Sequence, residues 1–256
     1  VAAGPAVLDV ADLCLPRMTG RMAVDHVSLS FRSGEVTAIY GLLGAGRTEL
    51  FESLFGLRSG ASGSVRLKGV ELAGRSVTRR IKAGLLLVPE DRQRDGLVPN
   101  LSVGSNLGLA SLRRFTRYFW LSSKSEQSLL SEIIAALRIK TPGADAPITA
   151  LSGGNQQKVV IGKTLLTQPS VLLLDEPSRG IDVGAKAEVF STMRDLADQG
   201  LTVVFSTSDL KETHAVADRV VVMAHGRVTA DLRGDAATDE ALVLASTQYD
   251  PHSVAA

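Results

Sequence analysis

The sequence predicts an α/β fold built around a mainly parallel sheet. Segments typical of strands alternate with segments typical of helices along most of the chain, and this order favours parallel strands joined by helical connections. A strand, a glycine-rich turn and a helix follow one another over residues 36–55. Over residues 101–140, β-branched residues become rare and leucines and isoleucines take helical spacing. We therefore expect a core sheet preceded by short β segments and interrupted by a mostly helical insertion.

Each element is expected in a definite order along the chain. Strands are predicted at residues 7–13, 24–31, 36–40, 63–70, 85–88, 171–175, 201–206 and 219–223, and helices at 48–55, 184–198 and 209–217 as well as within 101–140. Residues 26–31 alternate between polar and apolar side chains, so one face of that strand is expected to be buried. The last residues, from about Gln248, show little pattern and are expected to be loosely held.

Composition limits the classes of function. The chain has 256 residues, 45% of them hydrophobic and 21% charged, with a formal net charge of +1. These values are typical of a globular domain and provide no long-range field that would attract nucleic acid or anionic lipid. Cys14 is the single cysteine, so no internal disulfide can form, and we interpret it as a small core residue in a reducing compartment.

The chain also shows no sign of a membrane-spanning or secretory segment. No apolar run approaches the ~20 residues that a transmembrane helix needs. Residues 1–10 have neither the basic flank nor the apolar stretch of a secretion signal, and they do not begin with Met. We expect the chain to be part of a longer protein and to contact a membrane only through a partner.

A phosphate-binding turn is predicted at residues 41–48, GLLGAGRT. The turn lies between the strand VTAIY and the helix TELFESLF, where backbone N–H groups and a helix N-terminus can converge on phosphate oxygens. The residues expected to bind nucleotide are Gly41, Gly44, Ala45, Gly46, Arg47 and Thr48. The Thr48 hydroxyl stands where it would also ligate Mg²⁺. The alternative interpretation is an ordinary glycine-rich turn without a ligand.

Arg47 departs from the usual pattern because it occupies the position of a lysine. A lysine ammonium is a compact point charge that fits between two phosphates, whereas a guanidinium is a wide planar fork. We therefore expect nucleotide binding at this turn but weakened catalytic alignment.

A pair of acids follows an apolar strand at residues 171–177, VLLLDEP. Such a strand would deliver Asp175 to the Mg²⁺ shell and Glu176 to the water that attacks the γ-phosphate.

Residues 151–158, LSGGNQQK, form a more specific motif. A serine hydroxyl and two glycine N–H groups open a helix there and create an anion site at its positive end. A capped helix start without a ligand is the alternative interpretation of the second motif.

Together, these motifs resemble the ABC ATPase family over nearly the whole chain. LSGGN is similar to the family's signature motif, which acts across a dimer on nucleotide held by the opposite domain's P-loop, so Ser152, Gly153 and Gly154 would serve a partner's ATP. Residues 179–182, RGID, resemble the D-loop that communicates between the two sites, which assigns Asp182 to the nucleotide site. ATP and Mg²⁺ are the cofactors that the resemblance implies.

The resemblance also refines the expected fold. It implies a P-loop NTPase core with a mainly parallel sheet, an N-terminal antiparallel β subdomain and a helical subdomain insertion. The whole of residues 1–256 would form a single ABC ATPase domain, with the helical subdomain at about residues 101–165 facing a membrane subunit.

Finer features are similar to the second ATPase half of bacterial importers for ribose, galactose, xylose and related monosaccharides. These are PEDRQRDGL at residues 89–97, PSRGIDVGAK at residues 177–186 and GLLGAGRTEL at residues 41–50. In such importers two ATPase halves lie in one polypeptide about twice this length. The implied partners are a second ATPase half, an integral membrane permease and, indirectly, a periplasmic or extracellular sugar-binding protein, with no nucleic acid. The implied location is peripheral, on the cytoplasmic face of the bacterial inner membrane.

Other departures fall on the same nucleotide site. Glu90 stands where most family members carry a glutamine that contacts Mg²⁺ and the lytic water, so we assign it to catalysis and to the metal. Its alternative interpretation is a surface acid paired with Arg92 or Arg94. Ser208 stands at the position of the switch histidine, and residues 17–22 offer no aromatic side chain to stack on adenine. We expect that the productive site combines this chain's signature with the other half's P-loop, and that its own P-loop site is slow or regulatory.

Three classes of function are therefore compared. The first is the energy-coupling subunit of a sugar importer, the second a soluble ABC ATPase acting on nucleic acid or ribosomes, and the third a nucleotide-binding module that regulates with little hydrolysis. The near-neutral charge counts against the second class, and the altered P-loop keeps the third open. Residues 113–124, RRFTRYFWLSSK, combine basic and aromatic residues, a composition that also occurs where proteins stack on single-stranded nucleic acid. Because these residues fall within the predicted helical subdomain, we expect them to pack internally or to contact the permease.

Overall fold

A computed structural model describes residues 4–17, 20–110, 116–117, 120–121 and 123–247. The chain forms two compact units. The first unit comprises Val1–Leu87, Ser170–Glu176 and Met193–Ala256, and the second comprises Val88–Pro169 and Pro177–Thr192. Among the described residues, no helix combines the length and the apolar character that crossing a membrane requires.

Strands and helices succeed one another along the chain in an order typical of an α/β protein. They are β1 (Ala6–Pro16), β2 (Met22–Arg32), β3 (Val36–Tyr40), α1 (Arg47–Phe55), β4 (Ser62–Leu67), β5 (Val70–Glu71), α2 (Val77–Ala83), β6 (Leu85–Val88), α3 (Val103–Gly108), β7 (Thr116–Arg117), β8 (Trp120–Leu121), α4 (Ser123–Ala136), α5 (Gly153–Leu165), β9 (Val171–Leu174), α6 (Val183–Asp198), β10 (Thr202–Thr207), α7 (Leu210–Val216), β11 (Arg219–Ala224), β12 (Arg227–Arg233) and α8 (Asp239–Ser246). A π-helical turn spans Arg92–Gly96, and 3₁₀ turns span Ile148–Ala150 and Gly234–Ala236.

The core sheet has the strand order β12-β11-β3-β10-β9-β6. β3 pairs in parallel with β10 and β11, β10 pairs in parallel with β9, and β12 pairs antiparallel with β11. Every residue of β3, β9 and β10 is buried, as expected for parallel strands covered on both faces. Because the carboxyl ends of these strands meet at one edge of the sheet, the segments that follow them are brought together there.

An antiparallel sheet in the first unit has the order β2-β1-β4-β5. Its inner face contributes apolar residues such as Leu8, Val10 and Phe31 to the unit's core. In β2 the odd residues from Val27 are buried and the residues between them are more exposed, which confirms the predicted alternation. This sheet and the mainly parallel one confirm the predicted fold class.

The prediction of one strand at residues 63–70 is wrong in its extent. Lys68 and Gly69 both take left-handed backbone angles, so the chain turns and continues as the short strand β5. Glu71 fastens this turn, because its carboxylate accepts hydrogen bonds from the amides of Val65 and Ala73, each at 2.9 Å. Partial burial opposes ionisation, but the hydrogen bonds from Ser64 and from these amides prevail and lower the pKa of Glu71 to about 2.

The second unit is mostly helical, and α3, α4 and α5 bury leucine, isoleucine and valine side chains. Within the predicted helical stretch the structure adds a two-residue hairpin, β7 with β8. A partly buried ion pair joins α5 to α6: the buried Lys158 ammonium, 2% exposed, donates at 2.6 Å to the Glu188 carboxylate, whose side chain is 40% exposed. Lys140 donates to the other oxygen of Glu188 at 2.8 Å. The two hydrogen bonds and the charge of Lys158 lower the pKa of Glu188 to about 2.

Most other element predictions are confirmed within one or two residues, including β6, β9, β10 and β11 and the helices α1, α6 and α7. The sequence did not predict α2, β12 or α8. The basic and aromatic side chains of residues 113–124 lie outside the described side chains.

Candidate nucleotide-binding site

The glycine-rich turn joins β3 to α1 at the edge of the core sheet. Gly44 and Gly46 take φ angles of 80° and 99°, left-handed values that a residue with a Cβ rarely adopts. A Cβ on Gly46 would also overlap the carbonyl oxygen of Ala23. The amide of Ala45 donates to the carbonyl of Leu42 at 3.1 Å and closes the turn. The first N–H groups of α1 have no partner within the helix, so this turn presents donors suited to phosphate oxygens.

An ion pair holds the arginine of the turn. Nη1 of Arg47 donates to Oε1 of Glu176 at 2.5 Å, and the two side chains are only 9% and 17% exposed. Glu176 has a φ of 41° and its amide donates to the Ser206 hydroxyl at 3.0 Å. The guanidinium that is expected to meet phosphate therefore already has a carboxylate partner.

Asp175 lies beside the same helix start. It is 3% exposed and accepts a hydrogen bond from the Ser206 hydroxyl at 2.5 Å. Burial raises its pKa, while hydrogen bonds from Ser206 and Thr48 and the charge of Arg47 oppose that rise. A threonine hydroxyl and a carboxylate are hard oxygen donors, so Thr48 and Asp175 fit the coordination preferences of Mg²⁺.

Glu90 belongs to the second unit and pairs there with Arg179. The alternative interpretation, a pair with Arg92 or Arg94, is wrong. Arg94 contacts the neighbouring Asp95 at 3.4 Å. Arg92 donates instead to two backbone carbonyl oxygens, those of residues 179 and 180, at 2.7 and 2.9 Å.

Residues 151–155, which the sequence predicts to be a signature motif, lie at the start of α5 in the second unit. Ser152 is exposed at the N-cap position, and its Oγ accepts from the side-chain amide of Asn155 at 2.9 Å. A Cβ on Gly153 would lie 2.7 Å from Nη2 of Arg92, and one on Gly154 would overlap the side chain of Ala185. Close packing therefore excludes a side chain at both positions. The amides of the two glycines belong to the first turn of the helix.

Asp182, which the sequence predicts to lie in a D-loop, precedes α6. Its Oδ1 accepts a hydrogen bond from the amide of Ala185 at 2.9 Å, so the carboxylate caps that helix. Within the second unit, Arg92 therefore contacts the loop before Asp182, and Ala185 touches Gly154 of the signature motif.

The structure brings together most of the first-unit residues that the sequence singled out, namely the turn, Arg47, Thr48, Asp175 and Glu176. Ser208 follows the end of β10 and is exposed. The residue that contacts both acids is Ser206, which sequence reasoning missed although it is a polar side chain within an apolar strand.

Sequence reasoning also missed Arg17. Its Nη2 donates to the Gly44 carbonyl at 3.4 Å and lies 3.6 Å from a carboxylate oxygen of Glu49. Residues 17–22 contain no aromatic side chain that could stack on adenine, and the basic residue at their start was the only indication in the sequence.

Comparison with known proteins defines the class. The fold is that of an ATP-binding cassette, and the sequence profile described as ABC transporter matches residues 24–179. The chain therefore belongs to the ABC transporter family. A crystal structure of a nucleotide-free ATP-binding cassette from an ABC transporter has the same fold, with a TM-score of 0.81 and 21% identity over 97% of each chain.

Two relatives are named xylose import ATP-binding protein XylG. The one from Photobacterium profundum is 48% identical over 221 residues, which cover 86% of this chain and 44% of that protein. The one from Yersinia pseudotuberculosis is 41% identical over 253 residues, covering 97% of this chain and 50% of that protein. The chain spans about half the length of the curated relatives that it matches.

Proposed function

We propose that this chain binds and hydrolyses ATP to energise the import of a monosaccharide, of the xylose class, through an ABC transporter. The observation that carries the proposal is the glycine-rich turn beside the buried contact of Thr48 with Asp175. The names of the two relatives, both xylose import ATP-binding proteins, support the sugar-import assignment.

Each residue of the turn has a defined part in this function. The amides of Gly41 and Ala45 donate to the carbonyls of Thr207 and Leu42 and shape the turn. Its other N–H groups up to Gly46 and the Arg47 guanidinium bind phosphate oxygens. Thr48 and Asp175 hold Mg²⁺, with Glu90 as a further oxygen ligand. Bound Mg²⁺ supplies positive charge that neutralises the phosphate oxygens.

Hydrolysis requires a base beside the γ-phosphate. Glu176 accepts the proton of the attacking water, and Ser208 contributes a hydroxyl at the end of β10. The 2.5 Å contact between Glu176 and Arg47 competes with the role of Glu176 as the base and with the role of Arg47 as a phosphate ligand. Before nucleotide binds, the carboxylate and the guanidinium neutralise each other. The chain's own site is therefore slow.

The signature motif works on a different nucleotide. Ser152, Gly153 and Gly154 donate to the ATP held by the P-loop of a second ABC ATPase half, and Asp182 links the two sites. The position of Ser152 as the N-cap of α5 supports this role, because the first N–H groups of a helix have no partner within it and can donate to phosphate oxygens. This asymmetry makes the partner's P-loop, paired with this chain's signature, the productive site.

The assembly follows from the same reasoning. Since the chain spans about half of its relatives, we infer that it is one ATPase domain, residues 1–256, of a tandem protein with the second ATPase half. Residues of about 101–165 form the helical subdomain and meet an integral membrane permease, which receives sugar from an external binding protein. The protein would then lie at the cytoplasmic face of the bacterial inner membrane.

A second candidate function has one specific observation in its favour. The Arg47–Glu176 pair occupies both a phosphate ligand and the proposed base, which suits a regulatory half that binds nucleotide with little hydrolysis. Single-turnover measurement with Mg²⁺-ATP separates the two functions, because a regulatory half retains ATP unhydrolysed.

Binding of Mg²⁺-ATP to the purified chain tests the proposal. Thr48→Val removes the hydroxyl and is expected to weaken Mg²⁺-dependent binding by about tenfold or more. Thr192→Val is the matched control, since that hydroxyl only donates back to the Glu188 carbonyl in α6. Absence of binding by the unaltered chain, or equal binding by both variants, would overturn the nucleotide site.

The transport assignment needs its own experiment. Cells that depend on the intact transporter should lose xylose uptake when Ser152 is changed to Ala, and the complex should co-purify with a polytopic permease. Uptake that persists without this chain, or co-purification with ribosomes in place of a permease, would contradict the assignment.

A further inference from the structure

Three potential metal ligands meet on the antiparallel sheet, among residues with no part in the proposed nucleotide site. Asp12 and Cys14 lie on β1 and His26 on β2, and their ligand atoms are all within 4.8 Å of one another. Nδ1 of His26 lies 2.5 Å from Oδ1 of Asp12. The backbone amide of His26 donates to Sγ of the buried Cys14 at 3.4 Å.

Two irregularities of the strand pairing create this meeting point. Val10 pairs with Leu29 and Leu13 with Val27, so β1 carries one extra residue in the stretch that contains Asp12. The next pair joins Leu15 to Val24, so β2 carries one extra residue in the stretch that contains His26. Consecutive bulges on neighbouring strands redirect side chains that a regular ladder would keep apart.

The backbone at both bulges is in an unfavourable region. Asp12 and His26 have φ angles of 53° and 52°, left-handed values that non-glycine residues rarely adopt. Such outliers persist only where the surroundings fix them, and they concentrate at functional sites. Here they aim an imidazole and a carboxylate at the same thiol.

A carboxylate also stands beside the second nitrogen of the imidazole. Oδ1 of Asp25 lies 3.9 Å from Nε2 of His26, and Arg227 holds Oδ2 of Asp25 at 2.5 Å. When Nδ1 of a histidine binds a metal, its other ring N–H usually faces a carboxylate or a carbonyl that fixes the ring. Asp25 is placed for that supporting role.

We propose that Asp12, Cys14 and His26 bind a divalent transition-metal ion of the Zn²⁺ class. One thiolate, one imidazole and one carboxylate suit such an ion, and three protein ligands leave a fourth position for water. Thiolate and carboxylate together neutralise the two positive charges. A thiolate disfavours Mg²⁺, so this site is chemically distinct from the nucleotide's metal.

Binding requires a small rearrangement that the structure permits. The 2.5 Å contact between His26 and Asp12 is a hydrogen bond, and two ligands of one zinc ion must stand roughly 3 Å or more apart. Both side chains are exposed, at 69% and 71%, so they can separate and admit an ion from solvent. Cys14 keeps its buried position.

Titration of the purified chain with Co²⁺, a spectroscopic substitute for Zn²⁺, tests the proposal. Cys14 is the only cysteine, so a cobalt–thiolate charge-transfer band reports this site alone. We use about pH 8, because a metal ligand must be deprotonated and the hydrogen bond to Asp12 raises the pKa of His26. The band should saturate at one equivalent and disappear when Zn²⁺ is added.

Variants then assign the ligands. Cys14→Ser should abolish the band, and His26→Gln and Asp12→Asn should each weaken binding by at least about tenfold. His214→Gln is the matched control, because His214 contacts Asp239 at a similar 2.6 Å with no cysteine beside it, and the band should be unchanged. No band, or a band unaffected by the His26 and Asp12 substitutions, would overturn the proposal.

A second measurement avoids dependence on the folding of the Cys14 variant. Free Zn²⁺ at about ten times its Kd should slow alkylation of Cys14 in the unaltered chain by about tenfold, because only the thiol of the metal-free fraction reacts. His26→Gln should abolish this protection, while its circular dichroism spectrum stays native. An alkylation rate that Zn²⁺ leaves unchanged would contradict the site.

Discussion

The Arg47–Glu176 ion pair gives the sharpest prediction about this chain. Replacing Glu176 by glutamine keeps the shape and one acceptor oxygen but removes the charge that holds the guanidinium. A hydrogen bond to a charged acceptor contributes about 1.5–3 kcal/mol, and a neutral one about 0.5–1.5 kcal/mol. The 2.5 Å contact between side chains that are 9% and 17% exposed justifies values in this range. The substitution should therefore cost about 1 to 1.5 kcal/mol of stability without nucleotide.

The free energy lost from the Arg47–Glu176 pair destabilises the free chain but favours ATP binding. Phosphate oxygens must take Arg47 from Glu176, so weakening that pair favours the nucleotide. A gain of about 1 to 1.5 kcal/mol corresponds to roughly five- to twelvefold tighter binding of Mg²⁺-ATP. Without nucleotide, the melting temperature should fall by about 2–4 °C for each kcal/mol in a domain of this size.

Isothermal titration and thermal unfolding of the two proteins measure both effects. Glu52→Gln is the matched control, because Glu52 also accepts from an arginine, Arg58, at 2.6 Å, but on the exposed side of α1. An exposed pair contributes about 0–1 kcal/mol to stability, and neither Glu52 nor Arg58 belongs to the candidate site, so ATP affinity should change by less than about twofold. Unchanged or weaker ATP binding by Glu176→Gln would refute the view that Glu176 restrains Arg47.

Three further predictions concern buried polar contacts and acid. Glu188→Gln leaves the Lys158 ammonium, 2% exposed, without its carboxylate, while the Arg138 carbonyl still accepts from it at 3.2 Å. Because the Glu188 side chain is 40% exposed, the free energy of unfolding in urea should fall by about 1–2 kcal/mol, and a loss below about 0.5 kcal/mol would contradict this. The pKa of Glu71 is lowered from 4.5 to about 2, so the stabilisation by its carboxylate is complete above about pH 4.5 and is lost as the pH falls toward about 2. In Glu71→Gln the free energy of unfolding should therefore depend less on pH in that window. An unchanged pH dependence would argue against this. Arg92→Lys replaces two guanidinium nitrogens, which donate to the carbonyls of residues 179 and 180, by one nitrogen on a shorter side chain that cannot reproduce both contacts. Amide exchange in residues 179–182 should therefore accelerate while exchange in β3 stays unchanged.

Local pattern was sufficient for the elements whose burial is visible in the sequence. β3 and β9 are short apolar runs, and β2 alternates, so each could be assigned without tertiary information. By contrast, α2 has few apolar residues and buries Arg80, which donates to the Leu54 carbonyl at 2.5 Å. β12 is half-exposed and is held by pairing with β11, so its stability comes from a neighbour that the sequence does not reveal.

The candidate site was predictable where motif spacing carries the information. Strand, turn and helix placed Thr48, and the strand end placed Asp175. The role of Ser206 could not be predicted, because it depends on the register of β10 against β9, where Phe205 pairs with Leu174. The partner of Glu90 could not be predicted either, because Arg179 lies far away in the sequence.

The proposed division of labour between two nucleotide sites can be measured in the intact transporter, with both ATPase halves and the permease present. We expect Ser152→Ala to lower steady-state ATP turnover by about tenfold or more, because Ser152 serves the productive site. Arg47→Ala should lower turnover by less than about threefold, since the site it serves is already slow. Turnover that falls more for Arg47→Ala than for Ser152→Ala would contradict the proposed asymmetry.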